Sequence, residues 1–351
     1  MVGIITKDMT QRIRIKPYFH ILENDGVVSF IKTLDETIRI PSGEVINILV
    51  DAIQHSGDYN EVCKSISNSL QLGNGEAEIL INKFIEMGVL EWQTELETES
   101  KSRYHRQQLL FDSMSPLANI ADDERQAKLN DAHVMIIGIG GIGNYTAMAL
   151  AAAGIGKLTI VDFDVVEMSN MNRQVLFRES NLGQPKIPSA VAQLKSLNST
   201  IIISGIETKI DSLEAFEKLV TERGPVNYVV LSADHPPHLV LWASALCRKH
   251  NFHYLKCGYM AHQGLIGPLL GPDTPLYEEL FESWKPVIES QPERFRKQNE
   301  AFIAPSMAAT NGILANIAAL EMIKDITGIT PSCLKAQRML LNMKTMELTY
   351  G

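Results

Sequence analysis

The stretch Val134-Met-Ile-Ile-Gly138-Ile-Gly140-Gly141-Ile-Gly143-Asn144 decides how the chain is read. A short apolar run ends in clustered glycines, and a segment rich in small residues (Ala147, Ala149, Ala151, Ala152 and Ala153) follows. That order predicts a buried strand, a tight turn and a helix, the context in which a glycine turn meets phosphate. Gly138 permits the turn, Gly140 and Gly141 let the backbone approach an anion, and Gly143 lets helix and strand pack. Lys157–Asp162 reads as the next strand. Farther on, strands over Ile201–Ile206 and Tyr228–Ser232 alternate with helices over Pro185–Leu197 and Asp211–Val220. Alternating strand and helix predicts an α/β fold with a doubly wound parallel sheet. Beyond Gly258 the pattern changes. Leu265–Leu270 reads as a strand, Pro272–Asn299 as a charged helical insertion, Ser306–Ile326 as a long helix, and Arg338–Tyr350 as one or two closing strands.

Upstream, residues 1–92 read as a small separate domain. Strands are expected over Arg12–Ile15, Tyr18–Leu22, Val27–Lys32 and Thr37–Ile40, with Asp25-Gly26 supplying a tight hairpin. Helices follow over Glu44–Ile53, Tyr59–Leu70 and Glu76–Met87, and Val89–Trp92 closes the unit as a strand. The order is winged-helix-like. It lacks a basic surface for DNA, so its sheet edge suits the addition of a peptide strand. Residues 93–102, with Glu95, Glu97 and Glu99, read as a linker, and the large domain is expected over 103–351, with a first helix at Asp122–Leu129.

Composition narrows the class. The chain has 351 residues, 45% hydrophobic and 21% charged, enough for two or three domains with a sizeable core. A net charge of -9 argues against a non-specific nucleic-acid partner. No apolar stretch is long enough to span a bilayer, and Met1–Arg14 lacks the core of a secretory signal, so a cytoplasmic location is expected. Of Cys63, Cys247, Cys257 and Cys333, none has metal-type spacing. Cys257 ends an expected strand and is the one candidate nucleophile.

The candidate site follows from the sheet. Asp162 ends the second strand, where a carboxylate reaches ribose hydroxyls. With the glycines alone, a dinucleotide-dependent dehydrogenase is the competing reading. Three features oppose it. Asp164 follows Asp162 by two residues, on the same face if the strand continues. Asn170, Asn172, Arg173 and Gln174 offer dense donors for triphosphate oxygens. Lys186 opens the next helix, and Asp234 lies past strand Tyr228–Ser232, placed to hold Mg²⁺ against phosphate. His235, His238, Lys256, Tyr259 and His262 fall near strand ends as candidate bases.

As a set, these motifs resemble the ubiquitin-activating and ThiF/MoeB superfamily of adenylating enzymes. The matching residues are Gly138-x-Gly140-Gly141-x-Gly143, Asp162-x-Asp164, Asn170-x-Asn172-Arg173-Gln174, Lys186 and Asp234. Arg103-Tyr104-His105-Arg106-Gln107 is similar to the family's Arg-Tyr-x-Arg-Gln motif. The resemblance implies a Rossmann-like domain that uses ATP and Mg²⁺ to adenylate a carboxylate. It also implies Arg106 as a finger reaching the other subunit's γ-phosphate, and hence a homodimer. Two departures narrow it. No cysteine sits in a convincing loop for thioester or persulfide transfer. The family's zinc pairs are replaced by Leu276-Tyr277-Glu278-Glu279 and by the terminal Met346–Gly351, so no zinc is expected. Arg173-Gln174-Val-Leu-Phe177, the run Val230–Pro236 and the N-terminal domain resemble the peptide-maturing, microcin C-type branch, and the zinc-less arrangement resembles pantocin A-type maturases. That resemblance implies a precursor peptide whose leader binds residues 1–92, with glutamate side chains activated for cyclisation. Retention of AMP on the peptide, activation of a carrier protein's C-terminus for sulfur transfer, and a non-catalytic scaffold are the alternatives.

Overall fold

A computed structural model describes residues 12–93, 102–114, 122–222, 224–233, 235–283 and 304–351. They fall into two compact units, Met1–Ile120 and Ala121–Gly351.

In the first unit, β1 (Arg12–Ile15) pairs antiparallel with β5 (Leu90–Gln93). Strands β2 (His20–Asn24), β3 (Val27–Ile31) and β4 (Thr37–Pro41) form a meander in that order. Asp25 and Gly26, both at positive φ, close its first hairpin. Three helices follow: α1 (Glu44–His55), α2 (Tyr59–Leu70) and α3 (Asn74–Glu86). Asp58 caps α2 by accepting from the Glu61 amide at 3.0 Å. Ile13, Phe30, Leu49, Val62, Ile66 and Ile81 form the core. The edge strand β2 is exposed along its whole length. A helix absent from the sequence reading, α4 (His105–Met114), belongs to this unit rather than to the large one. Its Asp112 receives Lys16 Nζ at 2.8 Å and the Tyr18 hydroxyl at 2.6 Å.

In the second unit, α5 (Asp122–Asp131) leads into β6 (His133–Ile137), all five residues buried. Helix α6 (Gly141–Ala153), β7 (Lys157–Asp162), α7 (Lys186–Leu197), β8 (Ile202–Glu207), α8 (Leu213–Glu222), β9 (Tyr228–Leu231), α9 (Leu239–His250) and β10 (His253–Met260) follow. The five strands β8-β7-β6-β9-β10 are parallel. β11 (Gln263–Leu270), β12 (Met339–Asn342) and β13 (Glu347–Tyr350) extend the sheet antiparallel beyond β10. Met135, Ile137 and Leu231 face a core with α8 and α9. The opposite face carries α6, α7 and α11 (Ala308–Thr327). Both faces being covered, the central strands β6 and β9 are buried along their whole length. Strand order reverses between β6 and β9, and an open α/β sheet places its ligand at such a crevice.

Helix α9 was also not anticipated, although Leu239, Val240, Ala243, Leu246 and Cys247 mark its buried face. The expected insertion over Pro272–Asn299 contains the short helix α10 (Tyr277–Leu280), and residues 284–303 lie outside the described residues. At the first expected zinc position, Tyr277 is buried, its amide donates to Ser244 Oγ at 3.0 Å, and that hydroxyl donates to Glu278 at 2.8 Å. Among the described residues no helix is long and apolar enough to cross a membrane.

Gly156 brings the end of α5 against the start of β7, its amide donating to Leu129 O at 2.9 Å. A Cβ there would overlap the Asn130 carbonyl, which is backbone and cannot swing aside. Gly156→Ala should therefore cost about 1–3 kcal/mol or more, read as a lowered thermal midpoint. Buried His133 lies 3.0 Å by Nδ1 from the Pro225 carbonyl, so Nδ1 carries the proton and Nε2 accepts from Thr159 at 2.8 Å. Burial holds its pKa below the ordinary 6.5, and burial acts likewise on His253. The unfolded chain then binds more protons below about pH 6.5, so stability present above that value is lost as pH falls. Denaturant midpoints at pH 7.5 and 5.5 should show the drop, and His133→Gln should shrink it.

Candidate functional site

The site is assembled where β6, β7 and β9 end. Gly138 leaves β6 at φ +89°, and a Cβ there would lie 2.8 Å from the Ala233 amide nitrogen. The tips of β6 and β9 therefore touch. Ser232 Oγ donates to Gly138 O at 2.7 Å and lies 3.1 Å from Ile137 O. A Cβ on Gly143 would overlap the Gly138 carbonyl, so this glycine lets α6 pack on the turn. Gly140 has open space around it, as an anion-binding position needs. Gly141 also serves a contact that the sequence does not show. A Cβ there would overlap Asn311 Nδ2 of α11, so its smallness serves a helix contact.

Asp162 is 8% exposed at the tip of β7. One carboxylate oxygen accepts from the Ile139 amide at 2.7 Å and the other from the Asp164 amide at 2.9 Å. Each oxygen keeps a lone pair for a ligand hydroxyl. The chain leaves the strand at Asp162, so the alternation that would align Asp164 with it does not apply. Asp164 instead pairs with Lys186, Nζ to Oδ2 at 2.9 Å. Lys186 is 5% exposed and opens α7; its amide also donates to the Asp164 carbonyl.

The 170–174 segment divides its work. Asn170 Oδ1 accepts from the Glu167 amide at 3.0 Å and closes a 3₁₀ turn. Asn172 Nδ2 donates to Ser306 O at 3.1 Å and its carbonyl accepts from the Ala308 amide, tying the segment to the start of α11. Arg173 Nη1 donates to Ser169 O at 2.6 Å and to Asn172 Oδ1 at 3.0 Å. Gln174 is buried, and its Oε1 has no partner among the described residues. The residue that sequence reasoning passed over is Asn144. Fully buried, it donates to Ile139 O and Gly140 O at 2.6 and 3.0 Å and accepts from the Leu176 amide at 2.7 Å. Its signal was a carboxamide on the buried face of a helix of small residues.

These groups enclose a cavity of about 810 Å³, with Gly138, Gly140, Gly141, Asp162, Asp164, Asn170, Asn172, Arg173, Gln174 and Lys186 in its wall. Val161, Ile210 and Leu239 add an apolar side. The α6 N-terminus has no side-chain cap, so its free amides, with Lys186 and Arg173, favour an anion. Of the candidate bases, His235 and Tyr259 line the cavity; His238, Lys256 and His262 are not in its wall. Cys257 is in the wall but 3% exposed, and burial pushes its pKa up to about 12. The thiol stays protonated, against a nucleophilic role. Arg106 is exposed on α4 of the first unit. Asp234 lies outside the described residues, and among those described no group of three or more His, Cys, Asp or Glu forms a metal cage.

Comparison with known proteins adds to this geometry. The ThiF family model matches residues 112–350. The molybdopterin-synthase adenylyltransferase of Haemophilus influenzae is 31% identical over 231 residues, covering 66% of this chain and 86% of that one. The structure of E. coli MccB with ATP has a TM-score of 0.76 at 23% identity, covering 97% of this chain and 96% of that one. The microcin C7 biosynthetic enzyme MccB in complex with N-formylated MccA has a TM-score of 0.78 at the same identity and coverage. PaaA has a TM-score of 0.75 at 21% identity, covering 96% of this chain and 98% of that one. At these identities, the likenesses establish the fold.

With its thiol pKa near 12, Cys257 should react with iodoacetamide at pH 8 at least about a hundredfold more slowly than an exposed thiol. Peptide mapping of the native protein should find it unmodified until denaturant is added.

Proposed function

The chain belongs to the ThiF family, and on that footing we propose that it uses ATP to adenylate a carboxylate of a ribosomally made precursor peptide. The observation that carries the reading is the cavity between the uncapped N-terminus of α6 and the buried Lys186, which is paired with the exposed Asp164. Phosphates lie against the α6 amides and Gly140, with Lys186 and Arg173 as cations and Asp162 facing the ribose. A carboxylate oxygen of the peptide attacks the α-phosphorus. The bond to the bridging oxygen breaks, and acyl-adenylate and pyrophosphate result. Donors fixed before the reaction offset the negative charge that grows on the leaving pyrophosphate. Asp234 is the residue that would hold Mg²⁺, whose charge would help neutralise the phosphates.

The finer reading is maturation by cyclisation. A neighbouring nitrogen or carbon nucleophile attacks the acyl carbon and loses its proton, and AMP departs, with glutamate side chains as the activated carboxylates. Support for a peptide comes from two sides. The likeness to MccB, solved with N-formylated MccA, covers 97% of the chain. The exposed edge strand β2 offers unpaired backbone to a leader peptide. Arg106 then acts in trans within a homodimer, in the cytoplasm. The molybdopterin-synthase relative favours a second reading, activation of a carrier protein's C-terminus.

Incubation of the precursor peptide with the protein, ATP and Mg²⁺ should produce pyrophosphate and a peptide lighter by water. A retained AMP adduct would favour the microcin-type reaction, and an unchanged peptide would favour the carrier protein. Lys186→Met should lower peptide-dependent ATP–pyrophosphate exchange about 10²–10³-fold, as loss of a fixed charge stabiliser does. Exchange at the wild-type rate would remove Lys186 from the machinery.

A further inference from the structure

Beside the glycine turn, α11 carries a side chain whose hydrogen bonding is incomplete. Asn311 is 0% exposed, and neither Oδ1 nor Nδ2 has a partner among the described residues. An unpaired buried amide carries its full desolvation cost, and native proteins keep such groups chiefly where function requires them.

Its surroundings indicate which function. Asn311 Nδ2 occupies the space that a Cβ on Gly141 would need, and the Cγ of Arg173 lies 3.4 Å from that same point. Gly141 is the first residue of α6 and part of the cavity wall; Asn311 stands behind that wall, with Nδ2 against Gly141. Ser306 Oγ and Gln174 Oε1, both in residues of that wall, are likewise buried without partners among the described residues. Poor packing does not explain the cluster. Asn172 ties both Ser306 and Ala308 to the 170–174 segment, and α11 packs closely along α6.

We propose that Asn311 is a further phosphate-binding residue, its Nδ2 donating to a phosphate oxygen held at the N-terminus of α6. The inference rests on the adenylation reading. The α6 amides and the Arg173 guanidinium draw the anion to this corner, and a neutral carboxamide adds a directed donor there without a further charge. The glycine at position 141 is then needed so that a donor from a second helix can reach the site. This donor belongs to the far end of the chain, beyond the residues that the glycine-turn motif includes.

The test is equilibrium binding of ATP and of adenosine to the full-length protein and its variants, beside thermal unfolding without nucleotide. Asn311→Leu, which keeps the side chain's branching and removes both unpaired polar atoms, should still unfold cooperatively. It should bind ATP about 10- to 100-fold more weakly, the loss of one hydrogen bond to a charged group, and adenosine as wild type does. Asn311→Asp should weaken ATP more than Asn311→Leu does, because a carboxylate repels phosphate. Should the leucine variant fail to fold, Asn311→Ala carries the same comparison. Wild-type ATP affinity in the folded variant, or equal losses for ATP and adenosine, would overturn the inference and leave the adenylation reading standing. Absence of ATP binding by the wild-type protein would overturn that reading itself.

Discussion

The structure of the site depends on one constraint: the turn after β6 must be held without using the amides at the start of α6. Five hydrogen bonds do this. The Gly138 amide donates to Val161 O at 2.8 Å, Ser232 Oγ donates to Gly138 O, Asp162 accepts from Ile139, and Asn144 donates to the Ile139 and Gly140 carbonyls. The turn is thus bonded to β7, to β9 and to its own helix. With the turn held from these sides, the first amides of α6 face the cavity without a side-chain cap. A helix start with free donors and a rigid anchor favours anions with little reorganisation on binding.

The same economy appears in the charged groups. Lys186 is nearly buried, and a buried ammonium is costly without a partner, so Asp164 accompanies it. The pair brings a cation to the cavity wall at no net charge. Arg173, by contrast, is half-buried and anchored through backbone and carboxamide oxygens, so its charge is not neutralised by those contacts. Asn170 and Asn172 shape the loop that presents Arg173. In the sequence these side chains look like equivalent phosphate donors; in the fold, one caps a 3₁₀ turn and the other fastens the loop to α11.

The division between the units follows similar logic. Segment 103–114 carries a motif associated with the large domain, yet α4 packs in the first unit, where Lys16 and Tyr18 hold Asp112. A motif records the chemistry of its residues; it does not record which core its apolar face enters. Phe111 is the buried residue of this helix, and periodicity alone is weak over ten residues.

Much of the molecule was legible in the chain alone. Apolar runs of strand length, the glycine turn and the segment of small residues specify a parallel sheet because local sterics and burial dictate them. The lengths of β6, β7 and β9 and the extent of α7 follow within a residue or two. That several of these residues share one cavity wall was legible too, because strand ends can be counted. What only the tertiary structure decided is how each polar side chain is used. Gly141 makes room for Asn311, Asp162 holds Ile139, Asp164 neutralises Lys186, and burial protonates Cys257. Each is a contact or a desolvation set by elements distant in sequence. Hydrogen bonding and burial depend on which atoms meet in space, and residue spacing does not carry that information.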